Sequence, residues 1–371
     1  MAKLERFGHG GDLVTAAEMF GNQAGFIDFS SNIYPFGPPS IVIETIQEAL
    51  REPGFPAIAV YPDPELRSLK KKLARLHCVR EEMLLPGNGA AELIDLLVAA
   101  LKPNRVGVLE PAFSEYRLSA HKRKIPVKSV VTSWEQGFIP GADEMEQLIR
   151  EVDLLFLGRP NNPSGHFISE AQLEEWAILG ERFGTILAVD EAFIDFVDRG
   201  ETRSFISRLT RFPHVAVLRS LTKLFALPGL RLGYVVAEES LIRRLKQMQV
   251  CWSVGGLADR VGCAVADYTF YHAYVDQVRR WLAVERKYVS EALRRFTSME
   301  VYPGEANYLL IRTDNTCTSD ELQQQLGKRG LLIRDCSMYP GLDERYVRIA
   351  VKRREENKAL IQALEEILLS G

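Results

Sequence analysis

The sequence predicts an open, mostly parallel α/β sheet covered by helices on both faces, followed by a smaller α+β unit. Three observations carry this. Five apolar runs rich in Val, Ile and Leu, at 105–112, 153–160, 185–193, 214–221 and 230–237, read as buried strands. Amphipathic stretches such as AELIDLLVAALK, SEAQLEEWAILGERF and SLIRRLKQM alternate with them and read as helices. Strand and helix alternating in this way favour parallel pairing, because each crossover lays a helix on the sheet. After about residue 245 the pattern changes.

Taken in order, the segment before residue 40 is rich in Gly, Pro, Ser and Asn and too short to fold alone. It is expected to pack on the C-terminal unit. Ser169 is placed to cap the helix that follows it. A long helical region then runs to near Arg295, and the short strands NYLLIRT, LLIRDC and YVRIAV follow, with helices at 319–327 and 354–369. The expected organisation is an N-terminal segment at 1–40, a large α/β domain at 41–245 and a small α+β domain at 246–371.

Composition narrows the function classes. The 371 residues suffice for two domains, with 46% hydrophobic and 26% charged residues, as in ordinary globular proteins. A net charge of −3 gives no electrostatic reason to expect nucleic acid or an anionic membrane as partner. The basic run HKRK at 121–124 reads as a solvated surface. Five scattered cysteines without a CxxC pair fit reduced thiols, and six histidines without HxxxH or HExxH spacing predict no metal site. No signal-like or membrane-length apolar run occurs, so a cytoplasmic protein is expected.

The chemistry gathers where an α/β sheet of this kind collects ligands, at the carboxyl ends of its strands. One strand ends in Asp190-Glu191, another in RPNNPSG with Asn162, a third in Leu221-Thr222-Lys223. A lysine sheltered by Leu221, Leu224 and Phe225 is partly desolvated, which disfavours its charged form and makes it a nucleophile toward a carbonyl. Schiff-base chemistry with an aldehyde cofactor would employ its neighbours too. Asp190 could keep a ring nitrogen protonated, Asn162 could bond a ring hydroxyl, and Ser220, Thr222 and Arg231 could hold a phosphate. The stretch Gly87-Asn88-Gly89-Ala90 opens a helix and could present backbone N–H groups to the same phosphate.

These residues, together with SSNIYPFG, VYPDP, GNGAAE, PAFSEY, VDEAFIDF, SLTKLFALPGLRLGY, ANYLLIR and YVRIAV in that order, resemble the fold-type I pyridoxal-phosphate enzymes of the aminotransferase class I/II group. Two branches are similar: the histidinol-phosphate aminotransferases and the threonine-phosphate decarboxylases. HGGD at 9–12 and Phe193, which stands where transaminases generally carry a tyrosine, favour the second.

The resemblance implies an aspartate aminotransferase-like fold, pyridoxal 5′-phosphate as cofactor, an amino acid phosphate as substrate and a homodimer with shared active sites. It makes Lys223 the covalent anchor, Asp190 the ring-nitrogen partner, Asn162 the ring-hydroxyl donor and Phe113 the residue stacked on the ring. Ser220, Thr222, Arg231, Gly89 and Ala90 become phosphate ligands, joined by Tyr61 from the neighbouring subunit. His9, Asn32, Arg334 and Arg348 become candidates for the substrate's phosphate and carboxylate.

Overall fold

The computed structural model describes residue 4 and residues 10–21, 25–314 and 317–369. In chain order its strands are β1 (Ile27–Asp28), β2 (Leu84–Gly87), β3 (Val106–Glu110), β4 (Val127–Val131), β5 (Leu154–Gly158), β6 (Ile186–Asp190), β7 (Val215–Ser220), β8 (Gly233–Val236), β9 (Met299–Val301), β10 (Tyr308–Thr313), β11 (Leu331–Leu332), β12 (Arg334–Asp335) and β13 (Tyr346–Ala350). The central sheet has the order β2-β8-β7-β6-β5-β3-β4. Its pairings are parallel except at β8, which runs against both β2 and β7.

Both faces of this sheet are buried, and alternation along each strand divides the core in two. Leu155, Leu157, Leu187, Val189, Val215 and Val217 pack into one cluster, while Leu154, Phe156, Ala188, Ala216 and Leu218 pack into the other. The helices Gly89–Leu101, Ser114–His121 and Glu239–Met248 contribute apolar residues to the second cluster. The first is covered by Ala142–Arg150, Glu170–Phe183 and the long Tyr268–Leu293. Ser169 caps the helix after it, accepting from the Gln172 N–H at 3.2 Å.

The remaining strands form a second, antiparallel sheet of order β12-β13-β10-β9. The N-terminal segment joins this part of the chain: β1 pairs in parallel with β11, and the Ala350 N–H donates to the Phe29 carbonyl at 2.8 Å. Among the described residues no helix is long and apolar enough to cross a membrane.

Candidate active site

Because β3, β5, β6 and β7 are parallel, their carboxyl ends share one edge of the sheet. The antiparallel β8 begins at that same edge, which delivers Arg231, two residues before its first residue, to the rim. A cavity of about 580 Å³ opens there, bounded on its far side by residues of the N-terminal segment and of β12 and β13.

Asp190, the last residue of β6, is buried on the face shared with the helix Ser114–His121. The Tyr116 hydroxyl donates to its Oδ2 at 2.7 Å, and the Ala192 N–H donates to its Oδ1 at 3.0 Å. Burial pushes this carboxyl above the ordinary range, and the two donors oppose that shift without cancelling it. A cation facing it, such as a protonated ring nitrogen, would be strongly stabilised.

Lys223 stands one turn beyond β7, in the short helix Leu221–Leu224. Its half-buried amine is pushed down to about 8, first by desolvation and then by Arg348 and Arg231, against the opposing pull of Asp190 and Asp28. Beside it the hydroxyls of Ser220 and Thr222 lie 2.5 Å apart. Across the rim, Gly89 begins its helix at φ +76°, and a Cβ there would sit 2.8 Å from Arg231 Nη2. The glycine thus lets the guanidinium approach the backbone. Asn88 makes no side-chain cap for that helix, so its first N–H groups face the rim, where Ala90 and Ala91 line the cavity.

The opposite wall is cationic. Arg334 and Arg348 are partners in the β12–β13 register and are 3% and 4% exposed. Arg348 donates through Nη1 to Asn162 Oδ1 and through Nη2 to the Ser30 carbonyl at 2.6 Å, both neutral acceptors. Its Nε, like the buried Asn32 Oδ1, meets no hydrogen-bond partner among the described residues. Among the described residues four cations, Lys223, Arg231, Arg334 and Arg348, line the cavity against two carboxylates, Asp28 and Asp190. The donor set can hold an aldehyde cofactor with a ring nitrogen and a phosphate, and still leaves charge for an anionic second ligand. Among the described residues no cluster of three or more His, Cys, Asp or Glu could hold a metal ion.

The structure brings Ala90, Phe113, Asn162, Asp190, Ser220, Thr222, Lys223, Arg231, Asn32, Arg334 and Arg348 to this one cavity. Gly89 lies just behind it, against Arg231. Tyr61 does not line it: the side chain is 78% exposed and stacks on Trp252 at 4.5 Å between ring centroids. His9 lies outside the described residues. Asp12 caps the helix Leu13–Phe20, accepting from the Thr15 N–H, and Tyr34 is buried in an aromatic cluster with Phe36, Tyr274 and Trp281.

Sequence reasoning missed Asp28, Tyr116 and Tyr339, which also line the cavity. Tyr116 was findable, since it follows Phe113 by three residues on a helix starting at the rim and so shares its face. Asp28 reaches the cavity through the long-range β1–β11 pairing that no local pattern encodes.

Comparison with known proteins agrees with this architecture. Residues 24–364 match the family described as aminotransferase class I and II. A threonine-phosphate decarboxylase of Salmonella typhimurium is 36% identical over 97% of this chain and 96% of its own length. A histidinol-phosphate aminotransferase of Methanopyrus kandleri is 32% identical over 90% of this chain and 80% of its own. The crystal structure of a histidinol-phosphate aminotransferase from Clostridium acetobutylicum superposes with a TM-score of 0.84 at 28% identity, covering 92% of this chain and 99% of that one. With a rim that offers an amine, a buried carboxylate and a phosphate cradle, the chain belongs to the aminotransferase class I and II family, whose cofactor is pyridoxal 5′-phosphate.

Proposed function

We propose that this protein decarboxylates L-threonine O-3-phosphate, giving 1-amino-2-propanol O-phosphate and CO₂ in cobalamin biosynthesis. The observation that carries the phosphate is the Arg334–Arg348 pair. Like charges directly opposite on neighbouring antiparallel strands repel, and burial sharpens the cost. A phosphate dianion between them relieves both, and arginine's planar fork suits it. The Salmonella relative, similar over nearly the whole chain, supports the decarboxylase over the aminotransferase.

In this reading Ser220, Thr222, Arg231 and the N–H groups of Gly89 and Ala90 would hold the cofactor's phosphate. Asp190 would hold the proton on its ring nitrogen, Asn162 would bond its ring hydroxyl, Phe113 would cover one ring face and Lys223 would anchor it covalently. When bound, pyridoxal phosphate supplies an electron sink for a bond broken at the substrate's Cα. The protein selects that bond by orientation. With Arg334 and Arg348 taken up by the substrate's phosphate, neither would hold the carboxylate, which would be left free to depart as CO₂. Asn32 and His9 would add contacts at the substrate's anionic end. Lys223 would carry a proton at Nζ and deliver it to Cα in place of the departing CO₂.

The chain would act as a homodimer. Phe55, Ile58, Val60 and Tyr61 are 53–78% exposed, and Tyr61 stacks on the half-exposed Trp252, an apolar surface that a second copy would cover. Tyr61 would then serve the other copy's cofactor phosphate. The chemistry is tested by supplying L-threonine O-phosphate to the cofactor-loaded protein without any 2-oxo acid. CO₂ should appear mole for mole with the amine product, whereas an absolute requirement for an acceptor would make the protein an aminotransferase.

A further inference from the structure

Ser30 occupies a junction. Its carbonyl accepts from Arg348 Nη2, and its hydroxyl accepts from the Gly11 N–H at 2.9 Å. The backbone of Gly10 lies so close that a Cβ there would fall 2.3 Å from the Ser30 carbonyl oxygen. A single serine therefore touches both Gly10-Gly11 and the arginine assigned to the substrate's phosphate. Gly10, Gly11, Ser30 and Arg348 all line the cavity.

What fixes the serine is Asp28. One carboxylate oxygen, Oδ1, accepts from the Ser30 N–H at 2.8 Å, from the Ser30 hydroxyl at 2.6 Å and from the Ser31 N–H at 3.3 Å, while Oδ2 accepts from the Ser31 hydroxyl. The Ser30 hydroxyl has one proton, and Asp28 takes it, so the oxygen's lone pairs are turned toward Gly11. Asp28 itself is held by the β1–β11 pairing, where it stands opposite Leu332, two residues before Arg334. The chain of contacts thus runs from the small antiparallel unit through Asp28 and Ser30 to Gly11 on one side and to Arg348 on the other.

We infer that Asp28 is a positioning residue that couples docking of residues 10–20 at the cavity to the aim of Arg348. The inference rests on the proposed phosphate role of Arg348. It goes beyond that role by assigning its alignment to a carboxylate that need not touch the reacting atoms. All three contacts that fix Ser30 and the Ser31 N–H fall on Oδ1, which an amide would keep as an acceptor, so the variant that breaks the latch is Asp28→Ala, which removes every acceptor at this position.

The test uses the cofactor-loaded protein and two readouts. Hydrogen exchange of the peptide spanning residues 10–20, measured without substrate, should accelerate about tenfold or more in Asp28→Ala. KM for L-threonine O-phosphate should rise about tenfold while kcat falls no more than about threefold, since the bond-breaking groups are untouched. Ser30→Ala is the second variant. It removes the hydroxyl that holds Gly11 but keeps the carbonyl that holds Arg348, so exchange should accelerate as before and KM should rise less. Wild-type exchange in both variants, or a fall in kcat with KM unchanged, overturns the latch. The exchange measurement needs no turnover, so it still decides the latch if the wild-type protein releases no CO₂ and the decarboxylase reading fails.

Discussion

Asp190 and Glu191 are neighbours in sequence at the end of one strand, yet they belong to two different electrostatic regions. Asp190 faces the cavity among an excess of cations. Glu191 turns to the other face of the sheet and is completely buried in a closed set of partners. Its Oε1 accepts from Arg159 Nη1 at 3.0 Å and the Phe205 N–H at 2.9 Å, and its Oε2 accepts from the Ser204 hydroxyl at 2.5 Å. On β7 the same division recurs: Ser220 lines the cavity, while Arg219 pairs with Asp195 and accompanies Glu191 and Tyr271. The pleat separates them, since consecutive side chains point to opposite faces. One face is left charged and open for ligands, and the other spends its charges on holding the rim in place.

Opposite signatures follow from that division. Lys223→Ala removes the amine proposed to anchor the cofactor and carry a proton, so turnover should fall about 10⁴-fold or more, at the upper end of what one acid–base group contributes. The folded protein should keep its stability but lose the visible absorption of lysine-bound cofactor. Turnover within tenfold of wild type would remove Lys223 from the chemistry.

Glu191→Gln should do the reverse. Losing one charge of a buried ion-paired set costs about 3–5 kcal/mol of stability, because Arg159 loses its one fully buried counter-charge and keeps only the partly exposed Glu170 at 3.5 Å. Denaturant unfolding should report that loss, while kcat per folded molecule stays within about threefold. A large drop in kcat without a drop in stability would show that the two faces are not separate.

The smallest effect is one of pH. In the cofactor-free protein the Lys223 amine loses its proton near pH 8 rather than near 10.5, so its neutral, nucleophilic form grows as pH rises toward 8 and is nearly complete above it. The rate of cofactor capture, followed by visible absorption, should climb about tenfold per pH unit below 8 and flatten above it. A rate that keeps climbing beyond pH 10 would mean that the cavity does not desolvate this lysine.

The open face was largely legible in the sequence, and the closed one was not. Lys223, Asp190, Asn162 and Arg231 each follow or precede a recognisable strand at its rim end, so local patterns bring them together. Arg159 and Arg219 also sit on those strands, but nothing in a run such as HVAVLRSL says that its arginine is buried 1% exposed against Asp195. Asp28 escaped for a related reason. Its partners Ser30 and Ser31 are local, but its position in the cavity comes from pairing with a strand some 300 residues away, and such pairings depend on tertiary packing that periodicity does not carry.

The central claim is that this rim breaks the bond from Cα to the carboxylate and leaves the Cα–H bond alone. L-Threonine O-phosphate carrying deuterium at Cα tests it directly, with the product examined by mass spectrometry after reaction in ordinary water. Decarboxylation predicts an amine phosphate that retains the deuterium and has gained one solvent hydrogen where CO₂ departed. Loss of the deuterium to solvent, with the carboxylate kept, would contradict the account and place the bond-breaking at Cα–H.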